Sequence, residues 1–184
     1  NPGWKFTIFT VIILPILLSL SFWQYQRGLE KSKLESFINN QQTKPPTEFI
    51  SLEYATPGHW YIPFFMQGKF SQKTVLVDNA IHEGVRGFSV YQEFLSNNGL
   101  SLLVSKGWSN SFDNSKKTLN QNYLLQGVFR PIEKAFTIDN SIYEREESDL
   151  EMQSFDIDSI NLKWNTNFPA CLLYTSPSPR DRYG

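Results

Sequence analysis

The longest apolar run in the chain lies near its start. Between Phe6 and Phe22 no charged residue occurs, and about 17 to 20 apolar residues at 1.5 Å rise cross a hydrocarbon core of roughly 30 Å. Trp4 and Lys5 flank one end and Trp23, Tyr25 and Arg27 the other, as amphipathic belts at two lipid interfaces. The pattern predicts a transmembrane helix over residues 1–27. Pro15 is compatible with it, because membrane helices absorb a proline by local adjustment. A cleaved signal peptide, the competing reading, requires a shorter apolar core followed by small residues at a cleavage site, and neither is found here. Leu34, Phe37 and Ile38 then follow the i, i+3, i+4 rule, with Leu29 on the same stripe and Glu30, Lys31, Lys33 and Glu35 opposite. The helix is expected to run to about residue 39, its stripe meeting its own domain or a partner, before Pro45 and Pro46 break it; residues 28–47 read as a juxtamembrane helix and proline linker.

After the linker the period changes from 3.6 to two. Residues 60–70 and 74–78 read as strands separated by a polar turn, and Phe88, Val90 and Phe94 alternate with Ser89, Tyr91 and Glu93. Asn98-Gly99 has the composition of a two-residue hairpin turn with positive φ, and Leu100, Leu102 and Val104 line one face of the returning strand. A polar loop over 109–120 precedes a strand at 121–129. Residues 143–149 are acidic and read as solvated, and 152–157 as one further strand. Strands at short spacing without intervening helices predict a mainly β domain, α+β overall, over 48–170, with an antiparallel sheet closing toward a small barrel or sandwich. Aromatics at 15% fit such a core.

Composition narrows the chemistry. A formal net charge of −1 gives no basic surface for nucleic acid. Cys171 is the single cysteine, so there is no disulfide framework and no cysteine metal cluster. It opens the string CLLYTSPSPRD, the translation of DNA that resembles a transposase sequencing adapter. On that reading native sequence stops near Ala170, and 171–184 is a non-native tail, to be tested by independent reads of the gene. His59 and His82 are the only histidines, and neither has a second ligand at H-x-x-x-H or H-x-x-E-H spacing. His59 beside Pro57-Gly58 reads as a turn residue, and His82-Glu83-Gly84 as a loop tip. Asp78 and Glu83 form at most a solvated carboxylate pair. Without a nucleophile elbow, P-loop or dinucleotide fingerprint, an enzyme is not expected; a metal-dependent envelope enzyme on the two histidines is the weakest alternative.

Several blocks, in order, resemble the Surf1 (Shy1) family. Trp23-Gln24-Tyr25-Gln26-Arg27 is similar to the W-Q-x-Q-R block that closes the family's first membrane helix. Gly68-Lys69-Phe70, then Val75 to Asn79 with Asp78, then Gly84 and Gly87, resemble its G-x-F, "vlvdN" and G-x-x-G-[FY] blocks. Leu103-Val104-Ser105-Lys106-Gly107-Trp108 is similar to L-V-[ND]-R-G-W. The resemblance covers about residues 3–135. It implies a non-enzymatic, membrane-anchored assembly factor for haem-copper cytochrome c oxidase, assisting haem a insertion into the large subunit. The implied partners are that subunit, the haem a synthesis machinery and the lipid bilayer. The implied location is a bacterial inner membrane with a periplasmic domain, or the mitochondrial inner membrane. A generic membrane-tethered scaffold or binding domain without a haem role is the alternative.

Lys5 before the helix against Arg27, Lys31 and Lys33 after it would by itself place the domain in the cytoplasm; the resemblance overrides that count. The chain departs from the family pattern at Ser105 and Lys106, which keep a positive charge but lose the guanidinium fork. It also lacks a second membrane helix. The histidine proposed as haem ligand in bacterial members is absent from this fragment, so haem a is expected at most as a transient ligand. Trp23, Gln24, Gln26 and Arg27 are the candidates for facing a porphyrin or partner. Gly68, Phe70, Asp78, Asn79, Gly84, Gly87, Lys106, Gly107 and Trp108 are read as structural, with Gly107 permitting a strand bulge.

Overall fold

The structure is a computed structural model that describes residues 3–110, 121–132, 142–146, 148–169 and 171–175. Most of the polar loop over 109–120 and the end of the tail fall outside the described residues. The chain divides into two compact units, 1–43 and 44–184. The first is a single helix, α1 (Trp4–Gln42), of 39 residues. It is the one described helix long and apolar enough to cross a membrane. The expected transmembrane and juxtamembrane segments are thus one uninterrupted element running through Pro15, about 58 Å long and ending three residues later than the stripe suggested. The Thr43 N–H closes its last turn on the Asn39 carbonyl at 3.2 Å, and Pro45 forbids further helix.

The second unit is built on a mixed sheet. Its strands are β1 (Thr47–Glu48), β2 (Pro63–His82), β3 (Val85–Ser96), β4 (Ser101–Ser109), β5 (Tyr123–Pro131), β6 (Ile142–Glu146), β7 (Asp149–Met152) and β8 (Cys171–Thr175), with helix α2 (Ile157–Trp164) between the last two. The order is β3-β4-β8-β5-β2-β7-β6, with β1 and β3 also paired to β2. The expected purely antiparallel sheet is corrected: β1–β2, β2–β7 and β4–β8 are parallel. Parallel partners are joined by long connections, which leave no local sequence signal.

Strand β2 replaces the two short strands and turn expected over 60–78. The polar stretch Ser71-Gln72-Lys73 bulges within it, opposite Glu93. Glu93 is 5% exposed, and its carboxylate accepts from the hydroxyls of Ser71 and Ser101, both at 2.6 Å. Gln92 donates to the Ser71 carbonyl at 2.7 Å. A buried acid with two hydroxyl donors therefore shapes what looked like a turn. Gly68 pairs with Tyr123 of β5 and Ser96 of β3, so it marks where β2 exchanges one neighbour for the other.

Alternation divides the apolar side chains between two faces. Phe49, Phe64, Met66, Phe70, Phe94, Leu102, Val104, Leu125 and Phe129 form one core, with Phe49, Phe64 and Phe129 rings 5.0–6.0 Å apart. Leu102 and Val104 share a face as expected. Val75, Tyr91 and Leu103 point the other way and are covered by Leu150, Met152, Phe155, Ile157, Ile160 and Phe168. That second core corrects two expectations. Residues 143–149 contribute β6 and the start of β7, and Asp149 is fully buried. The strand expected at 152–157 is corrected: β7 ends at Met152 and α2 begins at Ile157, capped by the Asp156 carboxylate, which accepts from the Asp158 N–H at 3.2 Å and the Ser159 hydroxyl at 2.7 Å.

Candidate functional site

Two hairpin turns follow different chemistry. At Asn98-Gly99 only Gly99 has positive φ, +83°. Gly99 N–H bonds the Ser96 carbonyl, and Ser96 N–H the Leu100 carbonyl, which is a three-residue loop with a glycine bulge rather than the expected two-residue turn. The two-residue turn lies instead at Glu83-Gly84. There both central residues have positive φ, +49° and +78°, between paired His82 and Val85. The loop tip expected at 82–84 is this turn.

Strand β4 accompanies β3 only as far as the Phe88–Ser109 pair, so residues 80–87 extend beyond it as a two-stranded arm. Trp108 latches the base of this arm. Its indole N–H donates to the Ala80 carbonyl at 2.7 Å, and its ring meets His82 edge-on at 5.2 Å. Gly87 makes the approach possible: a Cβ there would lie 2.6 Å from the Trp108 ring and 2.5 Å from the Ser109 carbonyl oxygen. On the arm, Arg86 grips the Asp78 carboxylate with two nitrogens, Nε at 3.3 Å from Oδ1. Hydrogen bonding to Asp78, then its charge, raises the Arg86 guanidinium above its ordinary value. Asp78 is thus an ion-pair partner and not half of a carboxylate pair. Glu83 stands at the tip with its side chain 85% exposed.

Upstream of Trp108, Val90 pairs with Gly107 and Tyr91 with Ser105, which leaves Lys106 as the extra residue of a bulge. Gly107 has φ +92°, a region that glycine enters without a Cβ clash. Lys106 extends its ammonium over the Phe70 ring at 6.0 Å, and Phe70 packs on Phe94 and Tyr123 at 5.0 and 5.5 Å. At Gly68 a Cβ would lie 2.1 Å from the Leu95 carbonyl oxygen.

Of the block residues in this unit, Asp78, Gly84, Gly87 and Trp108 gather at the arm, and Gly68, Phe70 and Lys106 at the point where β2 changes partner. Gly107 sits between these groups. The Asn79 side chain lies outside the described part. Arg86 and Glu93 were missed by sequence reasoning; placing the turn at Glu83-Gly84 would have put Arg86 across the hairpin from residue 81, three positions along the same strand from Asp78.

The α1 candidates belong to the other unit. Arg27 lies over the Trp23 ring at 5.6 Å. At 100° per residue Gln24 and Gln26 stand about 200° apart, so one ligand would meet Trp23, Gln26 and Arg27 but not Gln24 as well. His59 ends a short turn, with Nδ1 3.1 Å from the Thr56 hydroxyl and its ring 5.2 Å from Tyr54. Among the described residues no group of three His, Cys, Asp or Glu side chains could hold a metal ion.

An apolar helix long enough to span a bilayer, followed by a β domain with a latched arm, describes a membrane-associated protein. The pattern of the SURF1 family matches residues 11–182, and the chain belongs to that family, which is associated with cytochrome c oxidase assembly and is not an enzyme class. The match includes β8, whose backbone pairs with β4 and β5. Among curated proteins none matches significantly.

Proposed function

We propose that the chain is a membrane-anchored assembly factor for haem-copper cytochrome c oxidase that assists haem a insertion into the large subunit. The observation that carries this reading is the family match, which runs through both the anchor and the β domain. The placement of the block residues supports it, because Asp78, Gly84, Gly87 and Trp108 meet at the arm and Gly68, Phe70 and Lys106 at the point where β2 changes partner. The partners are the large subunit and the haem a synthesis machinery. The domain faces the periplasm of a bacterial inner membrane, or the equivalent side of the mitochondrial inner membrane.

The pairings of β2 with both β5 and β3, and of β8 with both β4 and β5, favour a sheet curling toward a small barrel. Contact with haem a is transient and uses no axial ligand from the described residues. Trp23, Gln26 and Arg27 offer a ring face, an amide and a cation for a porphyrin edge and its carboxylates. Deleting the gene should lower haem a absorbance in membranes, and the full-length chain should restore it. Unchanged haem a content in the deletion strain would favour the generic envelope scaffold instead.

A further inference from the structure

We infer that Asn98-Gly99 is a modification site held latent by the fold: the pair loses ammonia spontaneously when the segment carrying Phe49 leaves the β3–β4 turn, and is protected while that segment stays. Asn-Gly is the pair most prone to this reaction, because no side chain on the second residue shields its nitrogen, and it occurs once in the chain. The Gly99 nitrogen gives its proton to solvent and attacks Asn98 Cγ. The bond from Cγ to the side-chain nitrogen breaks, ammonia leaves, and a five-membered succinimide closes. Water opens that ring at either carbonyl to give aspartate or isoaspartate, the second with an extra methylene in the backbone of the turn. Water is the only co-reactant.

The turn restrains both reacting groups. The Gly99 N–H is committed to the Ser96 carbonyl at 2.9 Å, and a proton held in this way is harder to remove. Asn98 Nδ2 donates to the Phe49 carbonyl at 3.0 Å, which ties the carboxamide to Phe49 instead of leaving it free to swing onto the Gly99 nitrogen. The Asn97 N–H is bonded to the Gln67 carbonyl at 2.8 Å, which fixes the turn on β2. Solvent exclusion plays no part, since Asn98 and Gly99 are both exposed. The guard therefore lasts as long as Phe49 stays seated. Its ring is 1% exposed in the first core, and its N–H bonds the Phe65 carbonyl at 2.9 Å. After the reaction a carboxylate faces the Phe49 carbonyl. It has no proton to donate and repels that oxygen, so the contact does not re-form. One undocking event is thus recorded irreversibly.

The test is peptide mapping by mass spectrometry of the full-length chain, kept in mildly alkaline buffer either folded or in denaturant, with conversion at Asn98 followed over time. Conversion in the folded chain should be at least about tenfold slower, equivalent to about 1.4 kcal/mol of protection. Phe49→Leu, which loosens the seat of the segment, should raise the folded-state rate, whereas Ile160→Val in the second core should leave it unchanged. Equal rates in the folded and unfolded chain overturn the inference, as does an Ile160→Val rate that rises as much as that of Phe49→Leu. Should Phe49→Leu fail to fold, Asn98→Asp decides the point. Hydrogen exchange at the Phe49 amide should quicken in that variant while the β7 amides keep their protection, and an unchanged Phe49 amide overturns the inference.

Discussion

Gly87 and Gly107 are both glycine for reasons that differ, and the difference is testable. Gly87 yields space: its Cβ position is filled by the Trp108 ring and the Ser109 carbonyl. Gly87→Ala should push the indole off the Ala80 carbonyl and cost about 1–3 kcal/mol, read as a lower denaturant midpoint with a shifted tryptophan emission. An unshifted emission would show that the latch tolerates the methyl group. Gly107 has open space around its Cβ position but φ +92°, so Gly107→Val sets a branched side chain against its own backbone. The domain should misfold or misassemble, and normal oxidase haem content in that strain would remove the bulge from any functional role. The bulge at Gly107 was legible from its place between a lysine and a tryptophan at a strand end. The role of Gly87 was not, because the ring that fills its space arrives from β4, some twenty residues away in sequence.

Elements were legible in proportion to how local their signals are. The β3–β4 hairpin was plain because alternation and an Asn-Gly pair lie within a few residues; only its turn type differed, since Asn98 keeps negative φ and Gly99 alone takes the left-handed region. The fused β2 was not plain, because the Ser71-Gln72-Lys73 bulge imitates a turn until Glu93 is seen opposite it. Helix α2 was missed for its shortness, eight residues, although Asp156 followed by Ile157, Ile160 and Trp164 at helical spacing was there to be read. Asp156→Ala should cost about 1 kcal/mol through the lost cap. Chemical denaturation would measure it, and an unchanged midpoint would mean that burial of Ile157 and Ile160 alone sets the helix.

For the whole molecule, the division into an anchor helix and a β domain follows from the change of hydrophobic period near Pro45, and the two compact units divide there. The long apolar helix and the family were legible; the second core was not, because β7, α2 and Phe168 close over β2–β4 from the far end of the chain. That arrangement has a kinetic side. Strands β2, β3 and β4 are consecutive and antiparallel, so their loops close at small entropic cost, whereas β7 reaches β2 in parallel across more than seventy residues of chain. The β2–β3–β4 meander should therefore be the folding nucleus, and Val90→Ala should slow refolding, whereas Met152→Ala should chiefly speed unfolding. Stopped-flow measurement of both rates would decide it; a Met152→Ala protein that refolds as slowly as Val90→Ala would put β7 in the rate-limiting step. A nucleus in these three strands also means that the arm, which is their own extension, forms before the rest of the domain has closed.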